Sequence, residues 1–420
     1  MNPHLLRKFR QRRDVLGIID IIRNGRFIGD FTRATTRTYF DSTGTLQTAA
    51  INTLPWEYDP ATLAPIGFSF WEARTNLLLQ SAFAASWTSS AAAVTAAAVN
   101  WPAGASSGAT LVEDGTTAAH SIYQNVTKAA SSIQYVFSVF AKPGAAGSAR
   151  NLKIQIDDAI ANGATVTVNP STGAVVTAAS TFGSGFTAGN VNPVALNSGG
   201  YRFDFTVTTN TATTVRAMLL LMNGATQSYA GDSASGLQIY GAQLEAGAAV
   251  TPHIATTSGS AVARSADVAS LSGAGFSSLG IGTSGTIVTS FTPGAFPASG
   301  ATFVVAASDG TSNNVIEQRA IVGGIFDYRV ATGGVTQFDS TGVSAVAGTN
   351  YKQASAYSIN DFAASIGGAA SETDISGTVP TIDRLYIGSE NGAAQCNGWI
   401  DYLGVIPGRQ ADYILQGRSQ

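Results

Sequence analysis

From Tyr201 to Thr208 the chain alternates without a break, with Tyr201, Phe203, Phe205 and Val207 on one side and Arg202, Asp204, Thr206 and Thr208 on the other. A period of two sends successive side chains to opposite faces of a strand, so the segment reads as a β-strand with one face buried. Leu152, Ile154 and Ile156 repeat the pattern against Asn151, Lys153, Gln155 and Asp157, and Tyr135 to Lys142 repeats it more loosely. Turn clusters at Pro143-Gly144 and from Asn169 to Gly173 punctuate these runs. Short strands, regular punctuation and no helical period predict a mainly β fold of antiparallel β-sandwich domains, the first of jelly-roll type. The alanines of Ala82 to Ala98 would suit a helix, but the interleaved Ser, Thr and Val favour strand or irregular structure.

The 420 residues exceed what one core serves, so several modules are expected. Residues 1–30 read as a basic N-terminal anchor with a β-hairpin, because Asn24-Gly25 stands between the apolar runs around Ile18–Ile22 and Phe27–Ile28. Residues 31–80 read as an extended leader and spacer, since Pro55 to Gly67 carries three prolines and little periodicity. Two strand-rich modules follow, 81–256 and 257–420, separated by a Thr/Ser/Gly-rich boundary. The second has expected strands at Thr286–Phe291, Thr302–Ala307, Ile325–Val330 and Leu385–Gly388.

Charged residues are only 12% of the chain and glycines number 46, which describes a neutral surface with many turns and argues against a nucleic-acid partner for the body. The charge is uneven. Met1 to Arg37 carries nine basic and three acidic residues, net +6, and the remainder 14 basic and 23 acidic, net −9, so the N-terminus is expected to meet a different partner from the rest. The anchor would rest on Arg7, Lys8, Arg10, Arg12 and Arg13, the alternative being a solvated basic arm. Asp20 interrupts the apolar run from Val15 and no small-residue cleavage site follows, so a secretory leader is not expected. No window approaches the roughly 18 apolar residues that span a bilayer, and no membrane insertion is expected. The single cysteine, Cys396, excludes an intrachain disulfide and suits assembly in a reducing cytoplasm.

Catalytic constellations are sparse. Three histidines (His4, His120, His253) and one cysteine give little material for a nucleophile or a metal. Ser106 in Gly104–Gly108 matches a nucleophile elbow without a following helix, and Gly280, Gly282 and Gly285 match a dinucleotide fingerprint that runs into a strand. Neighbouring acids such as Glu113/Asp114 and Asp157/Asp158 point to opposite faces if they lie on strands. The reading is of a chain that is not an enzyme and needs no cofactor, with calcium held by scattered oxygens left open. Sugar recognition needs aromatic faces rimmed by amides and carboxylates, because a sugar presents CH patches edged with hydroxyls. The candidates are Trp101, Tyr123, Tyr229 and Trp399, with Asn125, Asp232, Gln238 and Asn397 as polar partners. Aromatics also fill sandwich cores, so burial separates the two readings.

Three stretches carry a resemblance. FTRATTRTYFDSTGTLQTAA (Phe31–Ala50), with the proline spacer and EARTNLLLQS after it, resembles a leader of phage structural proteins. YVFSVFAKPG (Tyr135–Gly144), GYRFDFTVTT (Gly200–Thr209) and GLQIYGAQLEAGAAVTPHIAT (Gly236–Thr256) resemble the carbohydrate-binding jelly roll that often follows it, with His253 standing where that family more often has an aromatic such as Tyr. DRLYIGSENG and NGWIDYLGVIPG resemble the closing strands of a concanavalin or laminin-G-like sandwich. The resemblance implies a tailed-phage virion protein, a head spike or tail fibre subunit assembled in the host cytoplasm. It would be held to capsid, portal or tail proteins by its N-terminus, form a homotrimer, and display lectin-like modules to host surface polysaccharide. A purely architectural decoration or tail protein and a polysaccharide depolymerase are the alternatives.

Overall fold

The computed structural model describes residues 17–104, 106–257 and 259–420. The basic residues expected to anchor the chain, Arg7, Lys8, Arg10, Arg12 and Arg13, lie outside the described residues. Two antiparallel β-sandwiches dominate. In the first, one six-stranded sheet runs Ala92–Val99, Gly108–Glu113, Gly236–Ala246, Gln134–Pro143, Tyr201–Thr208, Thr187–Ala195. The facing sheet runs Val175–Phe182, Gly163–Val168, Asn151–Asp157, Thr214–Met222, Ser121–Thr127, Thr88–Ser90. Phe205 lies opposite Phe137 and Phe203 opposite Val139, and this inward face meets Leu152, Ile154, Ile156, Leu219 and Leu221 of the other sheet in a dry core. The alanine-rich stretch is strand over Thr88–Ser90 and Ala92–Val99.

The second sandwich packs a nine-stranded sheet centred on Gly398–Pro407, Gly285–Pro293 and Tyr351–Ser358 against an eight-stranded sheet centred on Val315–Ile321, Ala301–Ser308 and Arg384–Ile387. Ile287, Phe291, Leu403 and Val405 from one side meet Val305, Ile316, Tyr328 and Leu385 from the other. The glycines at 280 and 282 precede the strand Gly285–Pro293, not a helix, which leaves no helix N-terminus for a phosphate.

Residues 31–80 correct the expectation of an extended spacer, because they are strands woven into the body. Asp30–Thr32 pairs with Val268–Ser270, Arg37–Phe40 with Leu46–Ala49, Trp56–Tyr58 with Pro65–Phe68, Phe68–Phe70 with Gly398–Ile400, and Arg74–Asn76 with Val262–Arg264. The prolines misled because proline is tolerated at the first residue of a strand, and Pro65 begins one while Pro55 directly precedes another. Gly67 allows the close approach: at φ +121° a Cβ there would lie 2.6 Å from the Ile400 carbonyl oxygen. Upstream, Ile19–Arg23 turns through Asn24-Gly25, both at positive φ, into Arg26–Phe27. The first of these strands pairs with Tyr402–Val405 and buries Ile19, Ile21 and Ile22 in the second core, so the hairpin is part of that sandwich and not a separate unit.

One buried acid is expected to make the stability of the second sandwich depend on pH. Glu317 Oε2 accepts 2.9 Å from Arg329 Nε while Oε1 is buried without a partner. Burial pushes its pKa up to about 7; Arg329 opposes this and Glu390 adds to it. A raised carboxylate is proton-bound in the fold before it is in the unfolded chain. Its contribution is therefore complete below the unfolded value near 4.5 and is lost as pH rises to about 7. Across those limits this site is expected to cost on the order of 3 kcal/mol. Glu317→Gln should flatten that slope in calorimetric scans at pH 5 and pH 8, and an unchanged slope would contradict the assignment.

Candidate functional site

The structure sorts the eight sugar-contact candidates by burial. Trp101, only 2% exposed, packs with Leu46, Phe140 and Leu196 and donates from Nε1 to Ser198 Oγ at 3.0 Å, which makes it a core residue. Tyr229 and Asp232 are brought together around the buried Glu113. Tyr229 donates its hydroxyl to Glu113 Oε2 at 2.7 Å, and the Asp232 backbone N–H donates to Oε1 at 3.0 Å. Arg150 completes the set with bonds of 2.7 and 2.8 Å, so this group is a tie between strands with its capacity filled. Tyr123 and Asn125 lie two apart on Ser121–Thr127 beside a shallow surface that includes Leu79, Thr88 and Ser260, and Arg216 covers the Tyr123 ring at 5.2 Å. Gln238 stands in register with Thr110 and Lys142. Asn397 exchanges hydrogen bonds with Glu72. Trp399 lines a cavity of ligand size that is more enclosed than the open groove beside Tyr123 and Asn125.

That cavity, about 320 Å³, lies where the first sandwich, the 31–80 strands and the second sandwich meet. Sites for small molecules run upward from roughly 300 Å³. Tyr39, Phe40, Tyr58, Trp71, Phe140 and Trp399 give it an aromatic lining, and Glu57, Asp59, Arg202, Asp204 and His253 supply its ionisable groups.

Two buried networks build the walls. On the second-sandwich side Asp267 accepts from Arg33 at 3.0 Å, from Arg37 at 3.1 Å and from the Trp71 backbone N–H at 2.9 Å. Arg37 also donates to Glu57 Oε1, and Glu57 Oε2 accepts the Trp399 indole N–H at 3.0 Å. Ser69 takes the Trp71 indole N–H at 2.7 Å and itself donates to Glu57. Both indoles are thereby fixed edge to face, 5.3 Å between centroids. Burial lowers the pKa of Arg33 against the pull of Asp267, and that of Arg264 to about 10.

On the first-sandwich side, residues 250–256 fold back over the outer face of the sheet. Gln243 Oε1 accepts the Ile254 N–H at 2.6 Å, Glu245 Oε1 the Thr251 N–H at 2.8 Å, and Arg202 donates to the Thr251 carbonyl at 2.9 Å. This cover explains why Asp204, on the polar side of the most regular strand, is buried. Burial pushes its pKa up to about 6, opposed by the Asn192 hydrogen bond and Arg202. His253 is carried into the same wall, and burial followed by Arg202 pushes its pKa down to about 3, so the ring is neutral.

Sequence reading missed Tyr39, Tyr58, Trp71 and Glu57 because their segment read as a spacer. The available signal was RTYF, an arginine beside paired aromatics in a supposedly solvated stretch. Among the described residues no group of three or more His, Cys, Asp or Glu is placed to hold a metal. Cys396 is fully buried with its thiol pKa pushed up by burial, a packing residue.

No family model matches the sequence, and no curated protein matches it. Among solved structures the chain is similar to the CBM40 of Ruminococcus gnavus IT-sialidase bound to α2,6-sialyllactose, at 16% identity over 35% of this chain and 88% of that one, TM-score 0.29. It is also similar to domains LG4-5 of the mouse laminin α1 chain, at 12% identity over 69% and 87%, TM-score 0.24. Trypanosoma rangeli sialidase matches at 9% over 74% of this chain and 60% of that one, TM-score 0.28. The expectation of a chain that is not an enzyme is corrected by the sialidases among the similar structures.

Proposed function

We propose that this chain is a virion structural subunit of a tailed phage, a spike or fibre component. In this reading it is held to capsid, portal or tail proteins through its N-terminus, assembled as a trimer in the host cytoplasm, and displays two β-sandwiches that adsorb host surface glycan. The leader and jelly-roll motifs of the sequence support the virion half. The observation that carries the glycan half is the aromatic cavity in which Trp399 and Trp71 are held edge to face by Glu57 and Ser69. Rigid aromatic faces beside carboxylates suit a ligand with CH patches and hydroxyls. Weak single sites would gain by repetition on a particle, since linked copies raise avidity by about two to four orders of magnitude.

The full chain is the right reagent, because a fragment beginning at residue 80 would lose Glu57, Trp71 and the strands that frame the cavity. On an array of bacterial surface polysaccharides it is expected to bind, and Trp399→Ala to bind at least tenfold more weakly, about 1.4 kcal/mol, with its unfolding transition retained. Silence across the array would remove the glycan reading. Antibody-labelled electron microscopy of purified particles tests the other half, and particles lacking the chain would remove it.

A further inference from the structure

The strand Ser121–Thr127 has an edge that is only partly used. Its register with Thr214–Met222 runs without a shift, and at the two ends the Leu221 N–H donates to the His120 carbonyl at 2.9 Å and the Lys128 N–H to the Thr213 carbonyl at 2.8 Å. Bonded pairs alternate along an antiparallel ladder, so the even-numbered residues of 120–128 turn their main-chain groups to that neighbour and the odd-numbered ones turn theirs to the opposite side. On that side Thr88–Ser90 pairs with Ser121–Tyr123 and stops. Asn125 and Thr127 therefore hold N–H and C=O groups that no strand of the described residues takes up, and both residues are exposed.

A groove of about 720 Å³ lies against this edge, within the usual range of ligand sites. Leu77 and Leu79 give it an apolar side, and Thr88 and Ser260 bring hydroxyls. Gln124 fixes the wall, because its amide accepts from the Leu79 N–H at 2.7 Å and donates to the Leu79 carbonyl at 3.0 Å. Arg216 steadies the Tyr123 ring from 5.2 Å. The groove is open where the cavity at Trp399 is more enclosed, so it suits a run of residues inside a polymer better than a single terminal residue.

No acidic or basic side chain lines the groove, and Thr75 to Val112 contains none at all. The charged residues that flank its walls are committed elsewhere. Arg216 bonds both oxygens of Asp157, and Lys128 donates to the carbonyls of Ala129, Ser131 and Asn210. Arg74, before Leu77, is paired with Glu72, and Arg264, after Ala261, is buried beside Asp267. A carboxylate brought into the groove would lose water without gaining an ion pair, whereas a hydroxyl can donate to an open carbonyl and accept from an open N–H.

We infer that this groove binds an internal run of an uncharged polysaccharide, with sugar hydroxyls on the open main-chain groups of Asn125 and Thr127 and on the Asn125 amide, and a CH face against Tyr123. This rests on the glycan reading above and adds a second site with its ligand class.

The test is hydrogen-exchange mass spectrometry, fragmented to single residues, on the full chain with maltohexaose, cellohexaose and mannohexaose, and with hexagalacturonate as the acidic counterpart. At least one neutral hexamer is expected to slow exchange of the Asn125 and Thr127 amides at least tenfold at saturation, and to bind at least tenfold more tightly than its methyl glycoside. Tyr123→Ala and Asn125→Ala, with their unfolding transitions retained, should each weaken that binding at least tenfold, while Trp399→Ala should leave the protection at Asn125 and Thr127 in place. No slowing there with any neutral hexamer, tighter binding by hexagalacturonate, or unchanged binding in both folded variants overturns the inference. Array binding that Trp399→Ala weakens keeps the glycan reading in that event, and a silent array removes both.

Discussion

Asp267→Ala is expected to destabilise the protein by about 3–5 kcal/mol, the range for removing one partner of a buried ion pair. The carboxylate is fully buried and holds Arg33 and Arg37, whose side chains are equally buried, with Arg264 3.6 Å away. Its loss leaves guanidinium charge in a dry interior and frees the Trp71 N–H that it accepts. The cost exceeds that of a surface pair, typically about 0–1 kcal/mol, because no water can replace the missing anion. In calorimetry the transition of the second sandwich should fall by roughly 6–20 °C. Because Trp71 and Glu57 hang from the same network, glycan binding should weaken too. A change below about 1 kcal/mol would show that water or repacking compensates, and would sink the account of this network as a strut.

Glu113→Ala is expected to cost a similar amount, about 3–5 kcal/mol, but in the first sandwich. Glu113 accepts two bonds from Arg150, one from Tyr229 and one from the Asp232 backbone, so four donors lose their acceptor at once. Those bonds hold its pKa below the usual carboxylate range although burial works against them. Glu113→Gln keeps the size and part of the bonding and should lie between wild type and alanine. Affinity at the cavity should be unaffected in protein that remains folded. Lost binding at unchanged stability would instead make Tyr229 and Asp232 ligand contacts, reversing their assignment as a structural tie.

How far the sequence could be read varied with the range of the interaction. Alternation at Tyr201–Thr208, 151–157 and 135–142 located strands whose inward residues are those of the first core, since the facing of side chains on a strand is a local property. Asn24-Gly25 marked a tight turn for the same reason. Arg33 and Arg37 were counted as part of a basic arm, yet both are buried because Asp267, more than 200 positions away, folds against them. Trp101 and Tyr229 qualify as sugar contacts by residue type yet are buried in the fold, because an aromatic residue has the same identity in a core and on a surface.

By itself the sequence determined the class of fold, antiparallel β-sandwiches, through a two-residue period that only a sheet with a buried face can satisfy. Tertiary structure alone decided that residues 31–80 are strands in the body, that Asp204 on a nominally outward face is covered, and that His253 shares a cavity with Trp399. The reason is that a period reports what a residue's near neighbours require, while burial of an ion or an imidazole depends on which distant segment closes over it, and that choice leaves no local pattern in the chain.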